Sequence, residues 1–477
     1  MKRQNQQNHY ILNVNIALRS WMMVPYAYYT KGQRDAVGLT QEEFLLLLRC
    51  DGRQELEDSE LLQRMLTCNL CARCGENAVL SDWQRLMLCE NRYFPSMNWE
   101  ITAKCNYNCL HCFNAADGSP LREEFSWDEC IRLMDHAQAC GVNAFTITGG
   151  EPMLHPHFME ILRGIYKRGM YVEEVNTNGS FITAAMLEEM KSFGCNPLMK
   201  ISFDGLGQHD WMRGHKGAEE TTLIAIQLCI EKGFRVKVQT NVHRLNLASM
   251  LPTAKLLDEL GVSEMRIIRT SEAPRWLQNS NELCEGGACL GFAEYYDAML
   301  TLTRGYVAKE HRMQMRIWQF LDVFPTLQRY HYRPVSCGEG EYRDTLPVCG
   351  GNRKMIGVTA SGELIPCLQM SGYFDKNGIR LGNVKEEELK KLLSEGAYLD
   401  EVCTCVGQLA KHNEKCQHCR WWKFCIGGCR ALGFAITGDR LGEDKAKCLY
   451  FNEGYIEKTD AVFQGSGYIP IKSIKTL

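Results

Sequence analysis

In the stretch ITAKCNYNCLHCFNAADG, Cys105, Cys109 and Cys112 stand at C-x3-C-x2-C spacing directly after a short apolar run. Clustered thiolates are metal ligands, and iron–sulfur clusters and structural zinc sites both take four ligands. This stretch supplies three and leaves open what takes the fourth position. The C-terminal third holds a second constellation. Cys349 is followed by Gly362 and Cys367 as C-x12-G-x4-C, and KCQHCRWWKFCIGGC supplies Cys416, Cys419, Cys425 and Cys429 as C-x2-C-x5-C-x3-C, with Cys448 alone downstream. CxxC pairs serve zinc as well as iron, so both metals stand at this point. Seven cysteines cannot fill two four-coordinate sites. Cys337, in VSCGEGEY, is the nearest candidate for an eighth ligand, with Cys403 and Cys405 of VCTCVG as rivals. A third group, Cys68, Cys71 and Cys74 in TCNLCARC, lacks a fourth ligand unless Cys89 or Cys50 provides it. On a helix these three lie near one face, where buried small apolar side chains are the simpler reading. Cys130, Cys140, Cys195 and Cys229 sit at apolar helix or strand-edge positions and read as packing.

Composition limits what such sites can serve. The chain has 477 residues, 45% of them apolar, and a formal charge of −3. It can bury a sizeable core in two or three domains, and it has no basic bias that argues for nucleic acid. The opening MKRQNQQNHY lacks the apolar core of a secretory signal, and no apolar run approaches a membrane span, so a cytoplasmic protein without a membrane partner is expected. In that compartment disulfides are usually reduced, so metal ligation is the better reading of the clustered thiols among the 24 cysteines.

The elements that must position these residues recur in the middle of the chain. Apolar, β-prone runs occur at 97–102, 144–148, 171–175, 198–203, 235–242 and 265–270. Helix-like segments lie between them. FSWDECIRLMDHAQACG opens on Ser126 and Glu129 as a capping box, and TAAMLEEMKSFG, TTLIAIQLCIEKG and LASMLPTAKLLDELG each close on glycine. Strands alternating with helices describe an α/β fold with a parallel sheet, a barrel or an open part of one. Chemistry in such folds collects at the C-terminal strand ends. Those ends carry the three cysteines, then Gly149, Gly150, Glu151 and Pro152, then Thr177, Asn178 and Gly179, then Ser202, Asp204 and Gly205, then Gln239, Thr240 and Asn241. The sixth ends less tellingly at Arg269. Glycines at the second rim position are expected to let a ligand approach the backbone.

C-x3-C-x-φ-C, filled by Cys105, Cys109, His111 and Cys112 and followed by GGEP after the next strand, resembles the radical S-adenosylmethionine enzymes over about residues 95–270. The resemblance implies that the three cysteines hold three irons of a 4Fe-4S cluster and that S-adenosylmethionine chelates the fourth. It also implies cosubstrate contacts. These are the Gly149-Gly150-Glu151-Pro152 backbone, Asn178, Ser202, Asp204 and Gln239, with Arg213 as a carboxylate partner and His111 as a ring packed beside the adenine rather than a base. For Arg213 a solvated surface arginine is the alternative.

The seven C-terminal cysteines resemble the SPASM domain, the auxiliary-cluster extension of a subset of those enzymes, over about 337–450. By that resemblance Cys349, Cys367 and Cys429 share one 4Fe-4S cluster, with Cys337 the nearest candidate to complete it, while Cys416, Cys419, Cys425 and Cys448 complete another. That makes three clusters. Iron against zinc content separates this from a zinc domain. The first 95 residues or so read as short strands, then two amphipathic helices, the first capped by Thr40 with Glu43. Their order, and CDG after the first helix, resemble the winged-helix peptide-binding domain first known from pyrroloquinoline quinone biosynthesis, which holds leader peptides by strand addition; a merely structural cap is the alternative.

The expected organisation is a winged-helix-like domain at 1–93, a partial (β/α)6 barrel at 94–275, a linker or helical bridge at 276–336, a SPASM domain at 337–450 and a tail at 451–477. The expected activity is hydrogen abstraction from a ribosomally made precursor peptide by a 5′-deoxyadenosyl radical. Closure to a thioether is favoured, a carbon–carbon link is the other outcome, and a flavodoxin- or ferredoxin-type protein supplies electrons. An anaerobic sulfatase-maturing enzyme is the alternative. Those enzymes usually begin almost at the cysteine motif and carry an aspartate after the second SPASM cysteine, whereas here Leu368 follows Cys367. A non-enzymatic electron carrier explains neither GGEP nor a site one ligand short.

Overall fold

The computed structural model describes residues 8–112, 114, 123–271, 276, 289–338 and 340–471. The N-terminal segment builds two small sheets. In the first, β1 (His9–Leu12) lies between β5 (Asp51–Glu55) and β6 (Cys71–Cys74), antiparallel to both. Helices α1 (Gln41–Leu48) and α2 (Glu60–Thr67) bury Phe44, Leu47, Leu62 and Met65 against it. The capping box forms as expected: Glu43 N donates to Thr40 Oγ1 at 3.2 Å and Thr40 N donates to the Glu43 carboxylate at 2.7 Å. TCNLCARC, by contrast, is not one helix. Asn69 takes a left-handed φ of 58°, α2 stops at Cys68, and Cys71–Cys74 form the strand β6. Cys71 faces Cys50 in the core, while Cys68 is exposed.

The second small sheet has the order β4-β3-β2-β7, from β2 (Ile16–Trp21), β3 (Val24–Thr30), β4 (Val37–Gly38) and β7 (Met87–Cys89). It docks on the turn that closes the base of the main sheet. Trp21 Nε1 and Asn91 Nδ2 donate to the Cys140 carbonyl at 3.0 and 3.1 Å, and Tyr29 OH donates to that of Gly141 at 3.0 Å.

The six expected strands form the centre of the molecule: β8 (Ser96–Thr102), β9 (Ala144–Gly149), β10 (Tyr171–Thr177), β11 (Leu198–Ser202), β12 (Val236–Val242) and β13 (Glu264–Arg269). They are parallel neighbours in that order. Between them run α3 (Trp127–Ala139), α4 (Phe158–Lys167), α5 (Ala184–Ser192), α6 (His209–Arg213), α7 (Ala218–Glu231) and α8 (Met250–Glu259). The sheet does not stop at β13. Within 276–336, a helix at 292–307 leads to β14 (Gln314–Ile317), parallel to β13, and then to β15 (Leu321–Phe324) and β16 (Arg329–Tyr332), both antiparallel. On the other flank β17 (Met355–Val358) joins β8 in parallel and β18 (Leu364–Ile365) follows it, so the C-terminal cysteine region grows out of the same sheet. Short strands of four residues carry too little pattern to be read from sequence.

Alternation along the strands explains what the sheet encloses. Trp99, Ile147, Val175, Met199, Val238 and Met265 form the layer under the helices. Their neighbours point the other way, and they are polar: Glu100, Thr148, Glu174, Lys200, Lys237, Glu264, Arg266 and, on β14, Arg316. Parallel sheets usually carry apolar residues on both faces. Here the inner face is laced by ion pairs, Lys200–Glu174 at 3.2 Å, Lys237–Glu264 at 2.8 Å and Arg316–Glu264 at 3.0 Å, which suits a lumen rather than a packed core.

Candidate active site

The loop that leaves β8 carries the three cysteines, and the fold fixes it from two sides. On the first side β9 continues to pair with it: Gly150 N donates to Thr102 O and Glu151 N to Lys104 O, each at 2.8 Å. A Cβ on Gly149 would stand 2.2 Å from the Thr102 oxygen, and one on Gly150 2.2 Å from that of Lys104. The close approach that these glycines permit is therefore by the chain's own 102–104 backbone, where the sequence suggested a ligand. Glu151 is fully buried and stitches the rim together. It accepts from Thr177 Oγ1 and Asn178 N at 2.8 Å and from Met153 N at 3.3 Å. Burial lifts its carboxyl to about 7 against those three donors. Pro152 starts a short 3-10 turn behind it. Asn178 passes the connection on, donating through Nδ2 to Asn106 Oδ1 in the cysteine loop at 2.9 Å.

Glu151→Ala leaves these three donors without their acceptor in a dry site, and each unsatisfied group costs about 1–3 kcal/mol. The expected loss of stability is about 3 kcal/mol or more, measured by denaturant unfolding of the metal-free protein.

On the second side lies α6. Leu110 N donates to Met212 O at 3.0 Å, and Gly214, at a left-handed φ of 59°, passes so close that a Cβ would meet the Asn108 oxygen at 2.5 Å. Tyr107 stacks on His215 with ring centroids 4.5 Å apart. This packing buries Arg213, which settles it as an internal residue and not a solvated one. Its Nη1 donates to Cys109 Sγ at 3.7 Å. Its Nε stands 2.8 Å from Asp204 Oδ2, an ion pair in which the N–H is not aimed along the contact.

Asp204 is fully enclosed, and its other oxygen accepts from Asn241 N at 2.9 Å. Burial opposes its charge, but Arg213, with His111 and His209 behind it, holds the carboxyl at about 2. The His111 side chain is largely enclosed and driven down to about 4, chiefly by desolvation, so it is neutral and meets Asn241 Nδ2 through Nε2 at 2.9 Å. No sequence signal singled out Asn106, and Asn241, at the rim end of β12, stood among the strand-end residues without a role. The strand-end rule brought Asn241 into view, but nothing in the sequence marks it as the partner of His111. Ser202 and Gln239 pair in register on the inner face just below.

The donors gathered here are three thiols. Cys105, Cys109 and Cys112 lie within electrostatic reach of one another. Burial raises the Cys109 thiol and the Arg213 charge works against that. No three His, Cys, Asp or Glu side chains among the described residues meet at the separations of a single-ion site. A four-iron cube holds its thiolates farther apart than one zinc ion does, and three thiols beside a polar, partly open rim fit such a cube with one position left to an outside ligand.

The C-terminal cysteines divide into two neighbourhoods. Cys349, Cys367 and Cys429 face one another, and Cys416, Cys419, Cys425 and Cys448 form the other group. Asp444 ties the two: it accepts Cys429 N at 2.8 Å and caps, from Ala446 N at 3.0 Å, the helix that carries Cys448. Cys367 also lies within reach of Arg266, so the first group looks into the lumen. Cys337 is buried, with its backbone N donating to Phe424 O at 3.3 Å, beside Cys425 of the second group. Cys405 pairs with Pro347 across a bridge, two residues from Cys349, and Cys403 Sγ accepts from Arg92 Nη1 at 3.6 Å.

Residues 99–257 match the radical SAM superfamily and 349–420 an iron–sulfur cluster-binding SPASM domain. An AdoMet-dependent heme synthase of Methanosarcina barkeri is 27% identical over 74% of this chain and 95% of its own length. A PqqA peptide cyclase of Granulibacter bethesdensis is 25% identical over 73% of this chain and 86% of its own. Streptococcus suis SuiB, solved bound to precursor peptide SuiA, superposes with a TM-score of 0.65 at 14% identity, over 92% of this chain and 100% of that one. No helix among the described residues is long and apolar enough to cross a membrane.

Proposed function

We infer that this chain, a radical SAM enzyme with a SPASM iron–sulfur domain, matures a precursor peptide by oxidative closure within the lumen. The observation that carries the reading is the N-terminal pair of sheets. The heme synthase and the PqqA peptide cyclase, each matched over most of its own length, both leave about a quarter of this chain without a counterpart. The SuiB fold spans 92% of it. A tetrapyrrole oxidation, the second reading, has the sequence relatives in its favour. Against it, Lys200, Lys237 and Arg316 on the lumen face are already paired with Glu174 and Glu264, whereas propionate groups would need such cations free.

The residues take these roles. Cys105, Cys109 and Cys112 hold a 4Fe-4S cluster, and S-adenosylmethionine completes it from the rim formed by the Gly149-Gly150-Glu151 backbone, Asn178, Ser202 and Gln239. When bound, the pair supplies a 5′-deoxyadenosyl radical that takes a hydrogen atom from substrate. Asp204 positions Arg213, and Arg213 supports Cys109, rather than either meeting the cosubstrate carboxylate. The SPASM cysteines would hold two further clusters, which would supply an acceptor for the surplus electron.

The leader segment docks on β7, an edge strand paired among the described residues with β2 alone. Leu88 on it is 70% exposed, and Met22, Met23 and Leu86 add exposed apolar surface close by in the chain. An open edge with apolar neighbours favours strand addition. Deleting the whole segment would strip Trp21, Tyr29 and Asn91 from the barrel base, so a surface change is the cleaner test. Leu88→Asp should weaken binding of a labelled precursor about tenfold or more, about 1.4 kcal/mol, in fluorescence anisotropy. Uncoupled cosubstrate cleavage should be unchanged. The activity itself is tested by anaerobic incubation with S-adenosylmethionine, reductant and either the peptide encoded beside this gene or a tetrapyrrole. Loss of two hydrogens from the peptide supports the reading, and turnover of the tetrapyrrole alone refutes it.

A further inference from the structure

Any closure of this kind has the same balance. One hydrogen atom leaves a substrate carbon with 5′-deoxyadenosine. When the carbon radical is captured by an S–H or C–H partner, the new bond forms, the partner's bond to hydrogen breaks, and one proton and one electron are released. The electron goes to an oxidised iron–sulfur cluster of the SPASM domain. The proton needs a base, and the mechanism above names none.

We propose that Glu100, on the inner face of β8, is the base that receives this proton, an assignment that rests on the oxidative peptide reading. Three observations place it there. First, it faces the lumen, because Trp99 on one side packs edge-on against Phe125 in the helix layer and Ile101 on the other lies in the same core. Second, it stands between the two cysteine regions. Its Oε1 accepts from Asn114 Nδ2, two residues past Cys112, at 3.0 Å, and its carboxylate also meets the backbone of Ala360, on the turn between β17 and β18 that leads to Cys367. Third, its company is unlike that of the other inner-face carboxylates. Glu174 is paired with Lys200, Glu264 with Lys237 and Arg316, and Asp322 with Arg333 at 3.5 Å. Glu100 is 5% exposed and has no cation partner among the described residues.

A carboxylate fixed beside a cation holds its charge and is a poor proton acceptor. One that is buried with a neutral amide and a backbone group is poised to take a proton near neutrality. Burial brings Glu100 to about 7, with Asn114 and Ala360 lowering it and Asp375 across the turn raising it slightly. The other groups at this mouth do not compete: His111 and His243 are each held at about 4 by burial, and Glu151 is committed to its three donors.

The test uses reconstituted full-length protein with its precursor peptide, following 5′-deoxyadenosine and crosslinked product separately across pH. A base must be ionised, so product per 5′-deoxyadenosine should rise as pH passes through about 7 in the parent enzyme. Glu100→Gln should form 5′-deoxyadenosine within about twofold of the parent while product falls about 100-fold and the acid limb disappears. Glu100→Asp should retain part of both. A parent whose product ratio is independent of pH, or an E100Q protein that crosslinks at the parent rate with the acid limb intact, overturns the assignment. A substrate-free measurement separates this from failure of the peptide reading. Infrared difference spectra of the parent across neutral pH should contain a carboxyl band that E100Q removes. If no such band exists Glu100 is not the base, and if the band is present while no peptide is processed, the peptide reading is what fails.

Discussion

Cys109→Ala should abolish 5′-deoxyadenosine formation, by about 1,000-fold or more, in protein reconstituted and reduced without oxygen. The reason is geometric. Cys109 is held by a side chain from across the rim, since Arg213 donates to its sulfur at 3.7 Å and is itself anchored by Asp204 at 2.8 Å, whereas Cys105 accepts from Tyr107 N of its own loop at 3.4 Å. On the proposed assignment, loss of the Cys109 thiolate would leave two ligands for a cluster that already relies on an outside group for its fourth iron. A cluster so held is released or rearranged, and the cosubstrate has no iron to chelate. The check is chromatographic detection of 5′-deoxyadenosine together with the iron content of the variant. Parent-level cleavage by a variant that lacks this thiol would remove Cys105, Cys109 and Cys112 as a cluster site. Arg213→Lys serves as a milder companion. It keeps a charge but cannot span both Cys109 and Asp204, so a loss of bound iron smaller than that of Cys109→Ala is expected.

How far the sequence reached can be judged at particular residues. The six strands were legible because apolar runs and glycine-closed helices repeat at a steady interval, and the rim was legible because the C-terminal strand ends carry polar and glycine residues together. The purpose of Gly149 and Gly150 was not. A glycine pair reads the same whether a ligand or a neighbouring strand comes close, and only the register of β8 against β9 shows the 102–104 backbone filling that space. Arg213 was ambiguous for a similar reason, because burial of a five-residue helix depends on the loop 105–112 packing over it from about a hundred residues away. Alternation does place Glu100, Lys200 and Lys237 on the face opposite the core, yet in an open sheet that face would be solvent. Curvature of the sheet into a partial barrel turns it into a lumen and gives the pairing of its charges a meaning.

The C-terminal cysteines offer the other large effect, and it follows from the two neighbourhoods. Parent protein reconstituted with iron and sulfide should carry about twelve irons as three 4Fe-4S clusters. Cys349, Cys367 and Cys429 face one another, so their joint replacement by alanine should remove about four irons and leave about eight. Cys416, Cys419, Cys425 and Cys448 form a separate group, and replacing them should remove a different four or so. Asp444 links Cys429 to the helix of Cys448, which predicts that the second set of changes also broadens the paramagnetic resonance signal of the first cluster without emptying it. Cys337 is then placed by a single change. Its backbone lies against Phe424, beside Cys425, while its position in the chain favours the group of Cys349, the one a thiol short. Cys337→Ala alone makes the first cluster labile or opens it to added thiol, with a changed paramagnetic resonance signal, if Cys337 completes that group, and leaves iron at about twelve and the signal unchanged if it does not. In the first outcome both auxiliary clusters are saturated and their part is electron transfer. In the second, Cys405, bridged to Pro347 near Cys349, is the remaining thiol for the first cluster, and Cys405→Ala should then open one iron to added thiol. Zinc in place of iron in any of these proteins would overturn the assignment of both groups.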